Sequence, residues 1–240
     1  MDIVAALHAD RGVTCFVGAG GKKTTMYHLA EQLDRAILTN TVRIPIFDTE
    51  VEAVYSTDNP VKVIERTDER PIGIVPVKEG DDRYGGFAPE QVDAMADATD
   101  DPILVKADGA RMRRFKAPGP DEPQIPTRTT TVVPIVSAHV IGEPLDASIV
   151  HRVDRVANLT GIEPDEEITP AAIASVITSP DGGHKAVPQD ATVIPLINMV
   201  DTPALQAQAT AVAEAIKSQN NVEQVVLAEM RSESPLVSVR

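Results

Sequence analysis

A doubly wound, mainly parallel β-sheet with helices on both faces is the fold this sequence predicts, on three observations. Short Val- and Ile-rich runs alternate with helical patterns, as strands buried on both faces require. A glycine cluster, Gly18, Gly20 and Gly21, stands directly between one such run and a helix. A second apolar run, residues 102–107, leads straight into a carboxylate, Asp108. The 240 residues fit one large α/β domain, domains usually spanning roughly 100–200 residues. No composition break divides them, so 1–240 is read as a single α/β domain.

In chain order, residues 2–8 make an opening helix and residues 14–17 a compact apolar strand. From Thr24 the apolar residues Met26, Leu29, Ala30 and Leu33 recur at helical spacing. Strand, glycine loop and helix thus follow at once, which is half of a βαβ unit. Further strands are expected at 36–38, 61–64, 72–77, 102–107, 131–136, 192–198 and 222–227. Helices are expected at 89–98, 151–159, 170–177 and 203–217. Between residues 41 and 83 several short β-like runs point to an antiparallel excursion or a sheet edge. Residues 116–128, KAPGPDEPQIPTR, carry too many prolines for a helix or a strand and are read as a loop, either ordered or mobile.

Composition narrows the function. With 42% hydrophobic residues the chain can build a core without staples, and its single cysteine, Cys15, can form no internal disulfide. Cys15 falls inside a predicted buried strand, where a thiol acts as a small hydrophobe rather than a nucleophile. The N-terminus is acidic where a signal peptide would be basic, and no run of eighteen apolar residues occurs. A reduced, cytoplasmic protein that neither enters nor crosses a membrane is expected. The net charge of −14, with 36 acidic residues against 22 basic ones, argues against non-specific nucleic-acid binding, which draws on Lys and Arg. The same balance suits a halophilic cytoplasm, where a short Debye length screens self-repulsion. The five histidines show no metal-ligand spacing, so no protein-built zinc site is expected.

The chemistry begins at residues 16–25, FVGAGGKKTT. A glycine loop between strand and helix lets backbone N–H groups close around phosphate, and the helix N-terminus adds about half a positive charge. This makes the fold P-loop NTPase-like and Gly18, Ala19, Gly20, Gly21, Lys22, Lys23, Thr24 and Thr25 the candidate nucleotide site. The full pattern G-x-x-x-x-G-K-[ST] is not met, because either Lys23 or Lys22 is one residue too many. Both remain candidates for the phosphate anchor, with Lys22 favoured by the glycine spacing. Asp108, at the end of a Walker B-like strand, would join the Thr24 hydroxyl around Mg2+. Lys22, Lys23 and Asp108 are the candidate catalytic residues, with ATP or GTP as ligand.

Two further stations follow. Arg111, Arg113, Arg114 and Lys116 crowd into six residues of an acidic chain. They suit either a polyanion, with Arg111 and Lys116 on the nucleotide, or pairing with Asp121 and Glu122 in a solvated loop. Asn198 and Asp201, at the end of a late strand, match the N-K-x-D base-reading pattern with Met199 in the lysine position. They are expected at the far end of the cleft from Asp108, giving a modest preference for guanine, or else to be a strand end and the N-cap of the next helix.

The order of these stations resembles the YqeC-like family of selenium-dependent hydroxylase accessory proteins, associated with maturation of molybdenum hydroxylases. The likeness rests on residues 18–25; Leu38-Thr39-Asn40-Thr41; 106–111 running on to Lys116-Ala117-Pro118, Glu122-Pro123 and Ile125-Pro126; His151-Arg152; and 198–201. It covers roughly residues 12 to 202. Three positions depart from it: the extra lysine in the loop, Lys106 in place of an acidic residue, and Met199. They bear on hydrolysis and base choice more than on phosphate binding. The resemblance implies an accessory role, with a molybdenum hydroxylase or its cofactor-assembly machinery as partner. Three functions stay open: an NTPase coupled to cofactor delivery, an ATP-dependent transferase or ligase acting on a phosphorylated small molecule, and a nucleotide-sensing module without turnover.

Overall fold

A computed structural model describes residues 1–219 and 222–240. The elements in chain order are α1 (Ile3–Ala6), β1 (Val13–Gly18), α2 (Lys22–Gln32), β2 (Ile37–Asn40), β3 (Ile44–Pro45), β4 (Ala53–Ser56), α3 (Pro60–Ile64), β5 (Ile72–Val75) and β6 (Arg83–Tyr84). They continue with α4 (Pro89–Asp97), β7 (Ile103–Lys106), β8 (Phe115–Lys116), β9 (Thr129–Ser137), β10 (Val150–His151), α5 (Val153–Thr160) and α6 (Pro170–Thr178). The last are β11 (Thr192–Val193), β12 (Leu196–Asn198), α7 (Pro203–Gln219), β13 (Val226–Ala228) and β14 (Leu236–Val239).

One large sheet runs β14-β13-β12-β9-β1-β7-β2-β5-β4, with β11 also beside β9. Every pairing in it is parallel except β13 with β14. The central strands are buried along their length, as at Val13–Phe16 and Ile103–Lys106, because helices cover both faces. On one side α1 and α2 pack Ile3, Leu7, Met26 and Leu29 over Phe16 and Leu104. On the other side the core divides. Near β7 it holds Val92 and Met95 of α4, and toward the β12 edge it holds Ile173 and Ile177 of α6 with Val212 and Ile216 of α7. The expected doubly wound α/β architecture is present. Among the described residues no helix is long and apolar enough to cross a membrane.

Several elements differ from the sequence expectation, each for a local reason. Residues 61–64 form helix α3, not a strand: Asn59 caps it by accepting from the Lys62 N–H at 3.2 Å, and Pro60 occupies the first turn. The run at 192–198 is two strands, β11 and β12, interrupted where Pro195 has no N–H to give. The strand expected at 222–227 lies at Val226–Ala228, and β14 follows it unforeseen. Between residues 41 and 83 both expectations occur. The β4 strand forms the sheet edge, and β3 pairs antiparallel with β6 apart from the main sheet. The proline-rich stretch after Lys116 is an ordered crossing. The Gln124 N–H donates to Ala107 O at 2.9 Å and its carbonyl accepts from the Thr41 hydroxyl at 2.6 Å, tying it over the ends of β7 and β2.

Candidate functional site

The C-terminal ends of β1, β7, β9 and β12 meet at one edge, where open α/β sheets bind ligands. There the chain leaves β1 through three glycines in the left-handed region, Gly18 at φ 85°, Gly20 at 105° and Gly21 at 116°. Side chains are excluded twice over. A Cβ on Gly20 would lie 2.4 Å from Ser137 N, and one on Gly21 would lie 2.4 Å from Asn198 Nδ2. The loop is pressed onto β9 and β12, and α2 starts from it at Lys22 with Gly21 as its N-cap. Ala19 N–H donates to Ile135 O at 2.8 Å and Thr25 N–H to Gly21 O at 2.9 Å. Among the described residues, the five intervening N–H groups, from Gly20 to Thr24, have no acceptor in the chain.

Behind the loop lies a buried chain of charges. Lys22 Nζ is 2.8 Å from Asp108 Oδ1 and also donates to the Gly18 carbonyl. Asp108 Oδ2 accepts from Gly18 N–H at 2.8 Å and faces Lys116 Nζ at 2.9 Å. Lys116 reaches on to Glu122 at 2.7 Å, and Glu122 also accepts from Arg152 at 2.7 Å. Burial alone would push the Asp108 carboxyl up, but Lys22 and Lys116 outweigh it and hold it below the usual carboxylate range. Glu122 is likewise raised by burial yet drawn down to about 2 by Arg152 and Lys116. Burial lowers the Lys22 ammonium despite Asp108. It lowers His151 to about 4, helped by Arg152, Lys116 and Arg111.

In front of the loop is a cleft of about 750 Å³. Gly20, Gly21, Lys22, Lys23 and Thr24 form one wall, and the turn from Gly109 to Arg114 forms another. Arg43, Arg83, Lys106 and Arg231 also line it. Nine of the 22 Lys and Arg residues of an acidic chain therefore face one concavity, and Glu122 is the one carboxylate among its described lining residues. Lys106 is held by Arg43 O at 2.8 Å and is lowered to about 7, first by burial and then by Lys22.

The sequence-predicted residues sort as follows. Gly18–Thr25 and Asp108 are brought together, as expected of a shared edge. Lys22, Lys23 and Thr24 all line the cleft, but the Lys22 ammonium is engaged by Asp108, whereas Lys23 has no ionic partner among the described residues. The Thr25 hydroxyl donates to Gly21 O at 3.1 Å, inside the fold. Arg111 lines the cleft, whereas Lys116 belongs to the buried chain. Of the alternative pairings with Asp121 and Glu122, only Lys116 to Glu122 forms among the described residues. Asn198 is not at the far end of the cleft but directly behind the glycine loop. Its amide donates to Gly20 O at 2.8 Å and accepts from the Met199 and Met230 N–H groups. Asp201 is outside the cleft lining and pairs with His139 at 2.7 Å. Cys15 is buried, with its thiol pushed up to about 12 by desolvation.

Sequence reading did not single out Arg43, Arg83 and Arg231 for this cleft. They arrive from three separate segments as isolated arginines, and only the folded sheet edge gathers them. Lys106 carried a signal, as a cation where the resembling motif has an acid, and Glu122 carried one as part of the Glu122-Pro123 pair.

Fold and site together define the class: a doubly wound α/β protein with a glycine loop at the C-terminal sheet edge, opening on a basic cleft. Within that class the chain belongs to the YqeC family. The family model described as "YqeC protein" matches residues 14–154, a span that holds the glycine loop, Asp108, the arginine turn, Glu122 and Arg152. The chain is also 31% identical over 193 residues to the protein of Escherichia coli (strain K12) named "Uncharacterized protein YqeC". That match covers 78% of this chain and 75% of the relative. No solved structure matches the chain.

Proposed function

We propose that this protein binds a nucleoside triphosphate, ATP or GTP with magnesium, by laying its phosphates on residues 20–24, and that it serves as an accessory factor in maturation of a selenium-dependent molybdenum hydroxylase. The observation that carries the first part is the run of backbone donors without acceptors at the start of α2, in residues that line one cleft with a wall of arginines. Oriented N–H groups at a helix N-terminus favour a bound anion without further reorganisation. The second part rests on the motifs through which the sequence resembles the hydroxylase accessory proteins, and on this reading the protein works in the cytoplasm beside its client.

The residues fit magnesium in part. Mg2+ at a nucleotide typically takes one or two protein oxygens, with phosphate oxygens and water completing the shell. The Thr24 hydroxyl, on the cleft wall, suits that role. Asp108 does not in this arrangement, since its two oxygens already face Lys22, Lys116 and the Gly18 N–H. The ion, when bound, would neutralise phosphate charge. Asp108 instead holds the Lys22 side chain and the first glycine in place.

Binding with slow turnover is the reading the charges favour. Glu122, at about 2, is a weak proton acceptor, because the best general base titrates near the working pH. Turnover without a partner should be on the order of 10⁻⁴ to 10⁻² s⁻¹, as in switch-type NTPases awaiting activation. Calorimetric titration with Mg-ATP and Mg-GTP tests the proposal. Saturable one-to-one binding, weakened tenfold or more by Lys23→Ala, supports it, and no heat with either nucleotide refutes it.

A further inference from the structure

We infer that the arginine turn after Asp108 builds a second anion site, distinct from the glycine loop, which takes the phosphate or diphosphate of an organic molecule held beside the nucleotide. In the proposed nucleotide site, Lys23 and the α2 N-terminus already answer a magnesium-bound triphosphate. Arg111, Arg113, Arg114 and Arg231 line the same cleft in addition, and among the described residues none of the four forms an ion pair. Asp146 lies near enough to Arg113 to feel its charge and Glu122 lines the cleft, but these two carboxylates are outnumbered by the cations there, and such an excess of like charge raises the energy of the unliganded state, which an anionic ligand would relieve. Guanidinium groups suit phosphate in particular, because their planar donor fork binds it bidentately.

The turn is pinned. Arg113 N–H donates to Ala110 O at 2.8 Å, Arg114 N–H to Ile149 O at 2.8 Å, and Arg114 O accepts from Ser137 N–H at 3.1 Å. Between these anchors Arg111 and Met112 both adopt left-handed backbone, at φ 47° and 62°. Two successive side-chain-bearing residues in that region cost on the order of 1–3 kcal/mol each, a strain that collects at ligand clamps. Met112, 85% exposed on the same wall, offers apolar contact to an organic body. The cleft, at about 750 Å³, lies high in the ~300–1,000 Å³ range of small-molecule sites. A nucleic-acid strand fits less well, since these cations sit in one concavity of a chain of net charge −14 instead of along a surface stripe.

Equilibrium dialysis of radiolabelled inorganic pyrophosphate against the full chain, with and without saturating Mg-ATP, tests the inference. Pyrophosphate is expected to bind in both conditions. The combined Arg113→Gln, Arg114→Gln and Arg231→Gln variant should weaken the nucleotide-insensitive binding at least tenfold. Complete displacement by nucleotide, absence of pyrophosphate binding, or unchanged binding by the variant would overturn it. Should neither Mg-ATP nor Mg-GTP bind, the nucleotide reading fails on its own, and the arginine variant alone decides the second site. If the triple variant does not fold by circular dichroism, the exposed single change Arg231→Gln is read in its place, with a threefold or greater weakening expected and unchanged binding overturning the site.

Discussion

Lys22 and Asp108 lie 2.8 Å apart, and the two side chains are 5% and 2% exposed. The first residue of α2 and the carboxylate two residues past β7 are thus joined by a buried ion pair, which Lys116 extends on the far side of the same carboxylate. A buried pair contributes little net stability against an apolar substitute, yet breaking it from one side leaves charge stranded.

Asp108→Ala should therefore be severe, because it takes the one carboxylate from buried Lys22, leaves Lys116 with Glu122 alone, and removes the acceptor of the Gly18 N–H. A loss of about 3–5 kcal/mol is expected from urea denaturation. Lys22→Met, which leaves Asp108 with Lys116 and the Gly18 amide, should cost clearly less. Equal losses in the two variants would show that the chain of charges is not organised around Asp108.

Asn198 and Asp201 separate in the same kind of experiment. Asn198→Ala removes the partners of Gly20 O and of two N–H groups, and buried unpaired groups cost about 1–3 kcal/mol each. Asp201→Ala breaks only a partly exposed pair with His139, which should be worth no more than about 1 kcal/mol. Because Asp201 is outside the cleft lining, its removal should also leave the ratio of GTP to ATP affinity unchanged, measured by competition. A lost guanine preference in Asp201→Ala would restore the base-reading role that its sequence pattern suggests.

The glycine loop should tolerate no side chain at its second glycine. Gly20→Ala combines a left-handed φ with a Cβ 2.4 Å from backbone, so either the loop or β9 must shift. A fall in Tm is expected, at about 2–4 °C per kcal/mol lost for a chain of this size. Nucleotide binding should fall further than Tm does. Wild-type affinity in this variant would mean that the loop does not hold the phosphates.

Acid should weaken the fold through Glu122. Its folded pKa, about 2, lies below its unfolded value, so its contribution is present above about pH 4.3 and is lost as pH falls toward 2. Asp108, also held low, acts in the same direction. Glu122→Gln should flatten the stability profile between about pH 4.5 and 2 while lowering stability at pH 7. An unchanged acid slope in that variant would remove Glu122 as its source.

Much of this was legible because the signals were local. The strand at β1, the three glycines and the apolar spacing from Met26 to Leu33 announce one another within twenty residues, and the apolar run at β7 announces Asp108. The segment at α3 was misread for the opposite reason. Val61, Val63 and Ile64 favour strands by side-chain shape, yet Asn59 and Pro60 immediately before them supply a helix cap and first turn that outweigh it. What no local pattern carries is convergence. Arg43, Arg83 and Arg231 reach the cleft only because β2, the β3–β6 pair and the β13–β14 connection end at the same edge. The hold on the Lys22 ammonium likewise comes from Asp108, 86 residues away in sequence.

The most direct test is to follow backbone amides in ¹⁵N-correlated NMR spectra while Mg-ATP or Mg-GTP is titrated into the full chain. If phosphates lie on the unpartnered donors at the start of α2, the amides of Gly20, Gly21, Lys22, Lys23 and Thr24 should shift saturably and more than any others. Saturable shifts that leave those five amides unmoved, or no shifts with either nucleotide, would contradict the account.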